Sequence, residues 1–252
     1  MPKANSGILS VLKMIKVEGL YKSFQGQPVL ENINFDVANG EIVSILGPSG
    51  TGKTVLLKHL IGLMAPDRGR VLIDGVDISR LSEEDLLHAR KAMGYLFQEG
   101  ALYDFMTVFD NIAFPLREHT DWPEEKIAAR VREVLEMVDL EDVDLKMPSQ
   151  LSGGMKKRVG LARAIVLGAK ILLCDEPTSG LDPIRSRDIS NLIKSVAKKI
   201  KATTVITSHD IENSFRIADR LVLLNESHIA AMGTKEEIKA NTSSFVREFV
   251  QA

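Results

Sequence analysis

The first hundred residues carry apolar and polar positions in an order that predicts strands and then a helix. After Met14, the stretches IKVEGLYKSF and VLENINFDV contain alternating apolar positions, and Asn39-Gly40 supplies a turn. A short apolar stretch, EIVSIL, precedes a Gly-rich loop and then TVLLKHLIGLM, where apolar residues recur at helical spacing. This order predicts an antiparallel β lobe, followed by a strand, loop and helix of the α/β kind.

The middle of the chain, from roughly Gly100 to Lys157, has a helical pattern. The clearest helix is EEKIAARVREVLEMV, which we expect to begin behind an Asp121 cap and Pro123. Its apolar stripe consists of Ile127, Val131, Val134 and Val138. These residues predict a helical insert between two parts of a sheet.

Strand patterns return in the last third of the chain. KILLCDEP and TTVITSHD are separated by the helical RSRDISNLIKSVAKKI, which predicts a βαβ arrangement. DRLVLLNESHIAAMG predicts a hairpin that turns at Asn225 to Ser227, and Thr234 with Glu237 predicts a capping box for a last helix. We therefore predict an α/β fold with a mixed core sheet, an antiparallel β lobe and an α-helical subdomain.

These patterns also predict domain boundaries. We expect an N-terminal extension over residues 1–13, a main domain over 14–240, and a C-terminal helix or tail over 241–252. Within the main domain, the core covers 14–98 and 159–233, and the helical subdomain covers about 99–158. The first thirteen residues do not match a signal peptide well, and Met14 could be a second start.

Composition excludes several classes of protein. The 252 residues are 44% hydrophobic and 26% charged, which is ordinary for a globular chain. A net charge of −2, without long runs of one sign, does not indicate a nucleic-acid partner. The single cysteine, Cys174, excludes an intrachain disulfide and fits a reducing compartment. The apolar runs are shorter than the ~18 residues that a membrane span needs, so we expect contact with a membrane only through a partner.

The strongest chemical motif is GPSGTGKT, which matches the phosphate-loop pattern G-x-x-x-x-G-K-[ST] and lies between a predicted strand and helix. The alternative is an ordinary Gly-rich turn, but pattern and context agree. Backbone amides would wrap the phosphates, the lysine would reach the β and γ groups, and the threonine hydroxyl would bind Mg²⁺. The predicted nucleotide-binding residues are Gly47, Pro48, Ser49, Gly50, Thr51, Gly52, Lys53 and Thr54.

Acidic residues follow the predicted strand ILLCDEP. Asp175 is a candidate Mg²⁺ ligand, and Glu176 could accept a proton from an attacking water if its strand neighbours that of the phosphate loop. Without the phosphate loop, such a pair is more often a cap or loop feature. Cys174 is most simply a small buried apolar residue.

Gln98 and His209 follow two other predicted strands, MGYLF and TTVITS. Ligands bind at the carboxyl ends of parallel strands in α/β sheets. His209 would donate to the γ-phosphate, and Gln98 would contact Mg²⁺ or the water. A lone residue of either type at a strand end is usually a capping or solvated side chain.

A second glycine-rich turn, LSGGM, leads into a basic helical pattern a hundred residues after the phosphate loop. Backbone amides at such a helix start favour an anion. The turn has no lysine where a phosphate loop would carry one, so by itself it is an incomplete phosphate site.

Taken together, the phosphate loop, Gln98, LSGGM, ILLCDEP, SGLD (179–182) and His209 resemble the ordered motif set of an ABC-type ATPase, from about Met14 to Gly233. The resemblance implies a P-loop NTPase fold, ATP and Mg²⁺ as cofactors, and a homodimer that pairs head to tail. In that pairing, Ser152, Gly153 and Gly154 of one subunit cap the γ-phosphate held by the other, so the turn needs no lysine. It also implies a nucleotide-binding role for Asp182.

The resemblance further implies that Phe24 stacks on adenine, with Tyr21 as a second candidate and an edge-strand core position as the alternative. The family's signature usually ends in Gln, but Met155 stands there in this chain, and a thioether cannot make the hydrogen bonds of an amide. Met155, with the segment LFQEGALYDFMTVFDNIAFPLREHT, is similar to the Mla or MCE-associated branch, which serves lipid trafficking.

The resemblance implies a transport motor at the cytoplasmic face of the inner membrane, bound to an integral permease and an MCE-type lipid-binding protein. GALYDFMTVF would belong to the docking groove for the permease, although core packing is the alternative. Two rival functions are an ABC ATPase that acts as a scaffold or switch, and the ATPase of an importer for another small solute. A phosphate-loop kinase would leave LSGGM and SGLD unexplained.

Overall fold

The computed structural model describes residues 13–251 of the chain. Three strands open the fold: β1 (Lys13–Phe24), β2 (Gln27–Ala38) and β3 (Ile42–Leu46). Much of β2 alternates between buried and more exposed positions, as the sequence predicted for a strand with one buried face, whereas β3 is buried throughout. The extension predicted over residues 1–13 lies outside the described residues, except for Lys13, with which β1 begins.

The next elements lead from the phosphate loop back to the sheets. They are α1 (Lys53–Leu60), β4 (Arg68–Ile73), β5 (Val76–Asp77), α2 (Glu83–Arg90) and β6 (Met93–Leu96). The helix predicted over TVLLKHLIGLM therefore ends earlier than its apolar pattern, because Gly62 adopts a left-handed φ of 70° just after it.

The helical middle of the chain contains α3 (Val108–His119), α4 (Glu124–Met137) and α5 (Gly153–Ile165). The predicted Asp121 cap is wrong: Pro123 occupies the N-cap of α4, and no side chain caps this helix. Proline disfavours helical geometry at the residue before it, so Trp122 cannot begin the helix behind an Asp121 cap. The predicted apolar stripe of α4 is buried in one core that α3 and α5 share. The domain boundary predicted after residue 158 falls inside α5, and the domain division stays a prediction.

The last third alternates strands and helices as predicted. Its elements are β7 (Ile171–Asp175), α6 (Pro183–Ile200), β8 (Thr203–Ser208), α7 (Ile211–Ile217), β9 (Arg220–Asn225), β10 (His228–Gly233), α8 (Lys235–Lys239) and α9 (Ser244–Gln251). The hairpin between β9 and β10 is confirmed, and so is the Thr234–Glu237 capping box of α8.

The strands form two sheets. A four-stranded antiparallel sheet has the order β2-β1-β4-β5, and a six-stranded sheet has the order β10-β9-β3-β8-β7-β6. Only β10 is antiparallel to its neighbour in the second sheet, so the carboxyl ends of β3, β8, β7 and β6 lie along one edge. The predicted mixed core sheet and antiparallel β lobe are confirmed. Among the described helices, none is long and apolar enough to cross a membrane.

Candidate functional site

The phosphate loop follows β3 and closes onto the start of α1. A Cβ on Gly47 would lie 2.5 Å from the carbonyl oxygen of Leu224, so only glycine fits there. Gly50 and Gly52 adopt left-handed φ values of 84° and 91°. Gly52 is the N-cap of α1 and has no side chain that could accept a hydrogen bond from the first amides of the helix. These amides are therefore available to an anion bound in the loop.

Lys53 is buried at the start of α1. Its ammonium donates to the carbonyl oxygens of Gly47 at 2.9 Å and Pro48 at 3.0 Å, and lies 3.3 Å from Glu176 Oε1. The loop therefore holds the cation beside its own backbone amides. A cation next to a concave set of amides is a site for a polyphosphate.

Asp175 ends β7 and is surrounded by hydroxyl groups. Its Oδ1 accepts from Thr54 Oγ1 at 2.9 Å and Thr207 Oγ1 at 2.8 Å, and its Oδ2 accepts from the Tyr95 hydroxyl at 3.2 Å. Burial raises the pKa of Tyr95, with a smaller contribution from the charge of Asp175, so the phenol stays a donor. These contacts orient the carboxylate toward Thr54.

Glu176 turns away from β7 with a left-handed φ of 40°. Its backbone amide donates to the carbonyl oxygen and hydroxyl of Thr207 at 3.1 and 3.0 Å, and these bonds hold the strained backbone. The carboxylate lies between Lys53 and His209, whose Nδ1 is 3.3 Å from Glu176 Oε2. The role predicted for Glu176 required β7 to neighbour β3, but β8 lies between them, and Lys53 spans the gap.

Gln98 lies just beyond β6, at the same sheet edge as Asp175. Its side-chain amide donates to Ser179 Oγ at 3.0 Å, in the segment SGLD. The ammonium of Lys157 donates to its backbone carbonyl oxygen. Gln98, Asp175 and His209, which the sequence placed at the ends of strands, thus lie at one edge of the sheet, together with the phosphate loop.

The turn at residues 152–154 lies apart from the phosphate loop. Ser152 is the N-cap of α5, and its hydroxyl accepts from the Met155 amide at 3.3 Å. α5 packs on β6, which is three strands from β3, or about 14 Å at ordinary strand spacing. Within residues 13–251, no hydrogen bond or ion pair joins residues 152–154 to the phosphate loop.

Asp182 and Phe24 are two further residues predicted to bind the nucleotide. Asp182 is the N-cap of α6 and accepts from the amides of Ile184 and Arg185 at 3.1 and 3.0 Å. Phe24 is 43% exposed at the end of β1, with the Lys22 ammonium 5.6 Å from its ring centroid. The core position considered for Phe24 is therefore wrong, whereas its stacking on adenine stays a prediction.

The proposed docking segment is only partly packed. Tyr103 and Phe105 are 39% and 75% exposed, whereas Val108 lies in the core. Core packing therefore accounts for Val108 and not for the two aromatic residues.

Tyr95 and Thr207 contact Asp175 but were not among the site residues predicted from the sequence. Strand register offered a signal, since Thr207 pairs with Asp175 and Tyr95 pairs with Leu173, two residues before Asp175. Side chains two residues apart lie on the same face of a strand, so the three groups face one side of the sheet. That register depends on the order of the strands in the sheet, which the motifs do not reveal.

The donor set fits a nucleotide with a divalent cation. Thr54 and Asp175 place a hydroxyl and a carboxylate oxygen 2.9 Å apart, and oxygen is the ligand that Mg²⁺ prefers. No three His, Cys, Asp or Glu side chains form a metal cluster in the part of the chain described. A cation bound here would therefore take its remaining ligands from phosphate oxygens.

Comparisons with known proteins agree with this geometry. The model of the family "ABC transporter" matches residues 30–179. The "Probable ribonucleotide transport ATP-binding protein mkl" of Mycobacterium leprae is 45% identical over 94% of this chain and 68% of its own length. The "Intermembrane phospholipid transport system ATP-binding protein MlaF" of Haemophilus influenzae is 42% identical over 94% of this chain and 90% of its own.

A solved structure shows the same architecture. The ATP-binding cassette MJ0796, described as a dimer in a post-hydrolysis state bound to ADP and Pi, has a TM-score of 0.81 and 31% identity. The match covers 88% of this chain and 98% of that one. The chain therefore belongs to the ABC transporter family, as an ATP-binding subunit that hydrolyses ATP.

Proposed function

We propose that this chain is the ATP-driven motor of a phospholipid transporter, working as a homodimer bound to an integral permease at the cytoplasmic face of the inner membrane. The observation that carries the pairing is the separation of residues 152–154 from the phosphate loop of the same chain. An anion-binding turn that cannot reach its own phosphates can serve those of a second copy. MJ0796, which is dimeric, supports this arrangement.

In the proposed site, residues 47–54 bind the phosphates, and Lys53 neutralises the β and γ groups. Thr54, Asp175 and Gln98 would hold Mg²⁺, which supplies charge neutralisation to the phosphates. Phe24 lies exposed at the end of β1, where it would stack on adenine.

For hydrolysis, the Glu176 carboxylate would accept the proton of the attacking water. His209 lies 3.3 Å from that carboxylate and would donate to the γ-phosphate. Ser152, Gly153 and Gly154 of the partner copy would add donors from the opposite side. Asp182, the N-cap of α6, would contribute to the nucleotide site.

Mixing two inactive variants tests the pairing. Ser152→Arg blocks the turn, and Lys53→Ala disables the phosphate loop. In a mixed dimer, one site combines both defects and the other is intact, so we expect partial recovery of ATP hydrolysis. Mixing Ser152→Arg with a second, differently tagged Ser152→Arg chain is the control, because every site then keeps one defect. Proven heterodimers without recovery would show that each chain works alone.

A groove beside the loop that carries Gln98 is the candidate docking site for the permease. It has a volume of about 580 Å³ and is lined in part by Leu87, Phe97, Tyr103, Phe114 and Arg163. The Tyr103 ring lies 5.3 Å from that of Phe114, and the Arg163 guanidinium lies 5.6 Å from the Tyr103 ring. Exposed aromatic residues around a groove lined by several basic side chains favour a helix that carries apolar residues and carboxylates.

Tyr103→Glu tests this groove. We expect the variant to lose the permease in detergent pull-down while it still binds ATP, because the new charge lies in the apolar groove and not at the nucleotide. Met232→Glu is the matched control, since Met232 is equally exposed, at 40% against 39%, on the opposite edge strand β10. Equal release by both variants, or by neither, would contradict this docking site.

The lipid substrate has its own support. MlaF, named for intermembrane phospholipid transport, matches this chain over 90% of the MlaF length, and mkl, named for ribonucleotide transport, matches over 68% of its length. Pull-down from native membranes distinguishes them: we expect a permease with an MCE-type lipid-binding protein and bound phospholipid. A permease with a solute-binding protein for nucleotides or another small solute would refute the lipid assignment and leave the motor intact. Recovery without any membrane protein would favour a scaffold.

A further inference from the structure

We infer that Lys157 is a positioning residue that couples the turn at residues 152–154 to Gln98, and so links the two sites of the dimer. The inference rests on the proposed function, since it requires the turn of one subunit to serve the nucleotide of its partner. In that arrangement each subunit senses its own nucleotide with Gln98 and contacts its partner's nucleotide with the turn. A physical link between the two elements would let one site respond to the other.

One face of α5 holds the backbone that carries Gln98. Lys157, Gly160 and Arg163 recur every three residues and therefore lie near one another on the helix surface. The Lys157 ammonium donates to the carbonyl oxygen of Gln98, and Arg163 Nη2 donates to that of Gly100 at 2.7 Å. A single helix face thus binds two carbonyl groups of the same short loop.

Close backbone contact joins the loop and α5 between these bonds. A Cβ on Gly160 would lie 3.1 Å from the Cα of Gly100, and a Cβ on Gly100 would lie 2.9 Å from the carbonyl oxygen of Lys156. No side chain can separate the two elements at this point. Packed elements in such contact move together, because sliding would open gaps or cause overlap.

Packing alone does not account for a lysine at position 157. The residue is 6% exposed, and among residues 13–251 its ammonium has the Gln98 carbonyl as its hydrogen-bond partner, with no carboxylate at ion-pair distance. Burial lowers the pKa of Lys157, because desolvation penalises the charged form, and the charges of Glu99 and Glu176 offset this effect only in part. An apolar side chain would fill this space without that cost. The ammonium is therefore best explained by its bond to Gln98.

This bond connects Gln98 to Ser152 through one rigid helix. Ser152 caps α5, five residues before Lys157, so a shift of α5 also moves the turn. Occupancy of the phosphate loop positions Gln98, α5 follows, and the turn is presented to the nucleotide of the partner. Binding at one site thereby favours binding at the other, which is positive cooperativity.

The test compares Lys157→Met with Lys156→Met in the full-length chain. Both variants remove one ammonium from neighbouring positions of α5, but the Lys156 side chain has no hydrogen bond or ion pair within the described residues. We expect the Hill coefficient of ATP hydrolysis to fall toward about 1 in Lys157→Met, from a parental value approaching about 2 for two coupled sites. Lys156→Met should keep the parental value. ATP affinity of the monomer should change by less than about twofold in both variants, since neither residue contacts the phosphate loop.

The Hill coefficient separates coupling from a folding defect. Because ATP drives pairing, the variants are compared at equal concentrations of folded protein, where a folding defect in the rest of the sample leaves the shape of the ATP dependence unchanged. Lys157→Gln, whose amide is too short to replace the ammonium, gives a second variant should Lys157→Met not fold, and its Hill coefficient should also fall. A folded Lys157 variant with parental cooperativity, an equal loss in Lys156→Met, or a parent without cooperativity would overturn the inference.

Dimer formation distinguishes this failure from that of the proposed function. In a Glu176→Gln background, light scattering with ATP measures pairing without turnover. Absence of a dimer there would refute the proposed composite sites themselves. A dimer together with unchanged cooperativity in Lys157→Met would refute only the coupling role of Lys157.

Discussion

Replacing Lys53 by alanine removes the buried cation of the phosphate loop. The ammonium donates to two carbonyl oxygens of the loop, at 2.9 and 3.0 Å, and these bonds hold it where the β and γ phosphates would lie. Only 4% of the side chain is exposed, so solvent screens the charge weakly. The cation is therefore oriented before nucleotide binds, and its contribution to binding should be near the upper end for a hydrogen bond to a charged group.

The magnitude follows from that environment. Hydrogen bonds to charged groups contribute about 1.5 to 3 kcal/mol, which corresponds to roughly ten- to 150-fold weaker nucleotide binding. The loop itself should survive the change, because the carbonyl oxygen of Pro48 keeps the two hydrogen bonds that it accepts from Thr51, at 2.9 Å from the hydroxyl and 3.4 Å from the amide.

Calorimetric titration with ADP measures this loss without interference from hydrolysis. Lys58→Ala is the matched control, because it removes the same charge from an exposed position of the same helix. We expect it to bind ADP like the parent. If Lys53→Ala also binds within about twofold of Lys58→Ala, the assignment of residues 47–54 as the phosphate site is wrong.

Three further predictions concern turnover, packing and pH. Glu176→Gln should bind ATP and accumulate as a dimer with little turnover, since an amide cannot accept the proton of water; normal hydrolysis would exclude Glu176 as the base. Gly69→Ala should lower the Tm by several degrees more than Gly75→Ala. Both glycines have left-handed φ values, 83° and 82°, but only a Cβ on Gly69 would overlap the backbone, at 2.1 Å from the Gly19 carbonyl oxygen. Equal Tm values for the two variants would contradict this. Hydrogen bonds from Lys22 and Ser23 lower the pKa of Asp67 from 3.8 to about 2, so its contribution to stability is present above pH 3.8 and is lost as the pH falls toward 2. Asp67→Asn should therefore differ from the parent most at neutral pH, and chemical denaturation should show the difference shrinking between those pH values; a constant difference would refute the ion pair.

Motifs made of consecutive residues could be predicted from the sequence alone. The phosphate loop, the β9–β10 hairpin and the Thr234–Glu237 capping box each depend on bonds between residues close in the chain, and the fold has all three. The α4 cap failed although it is also local, because the restriction that Pro123 imposes on the preceding backbone outweighed the capping preference of Asp121.

The surroundings of Asp175 and Glu176 could not be predicted in this way. Tyr95, Thr207 and Thr54 come from three separate elements, and the place of β8 between β3 and β7 determines which of them reach the carboxylates. The separation of Ser152 from its own phosphate loop likewise follows from strand order. Strand order results from the packing of helices on both faces of the sheet, which depends on side chains far apart in the chain. For that reason the sequence determined which groups the site contains, and only the tertiary structure decided which of them meet.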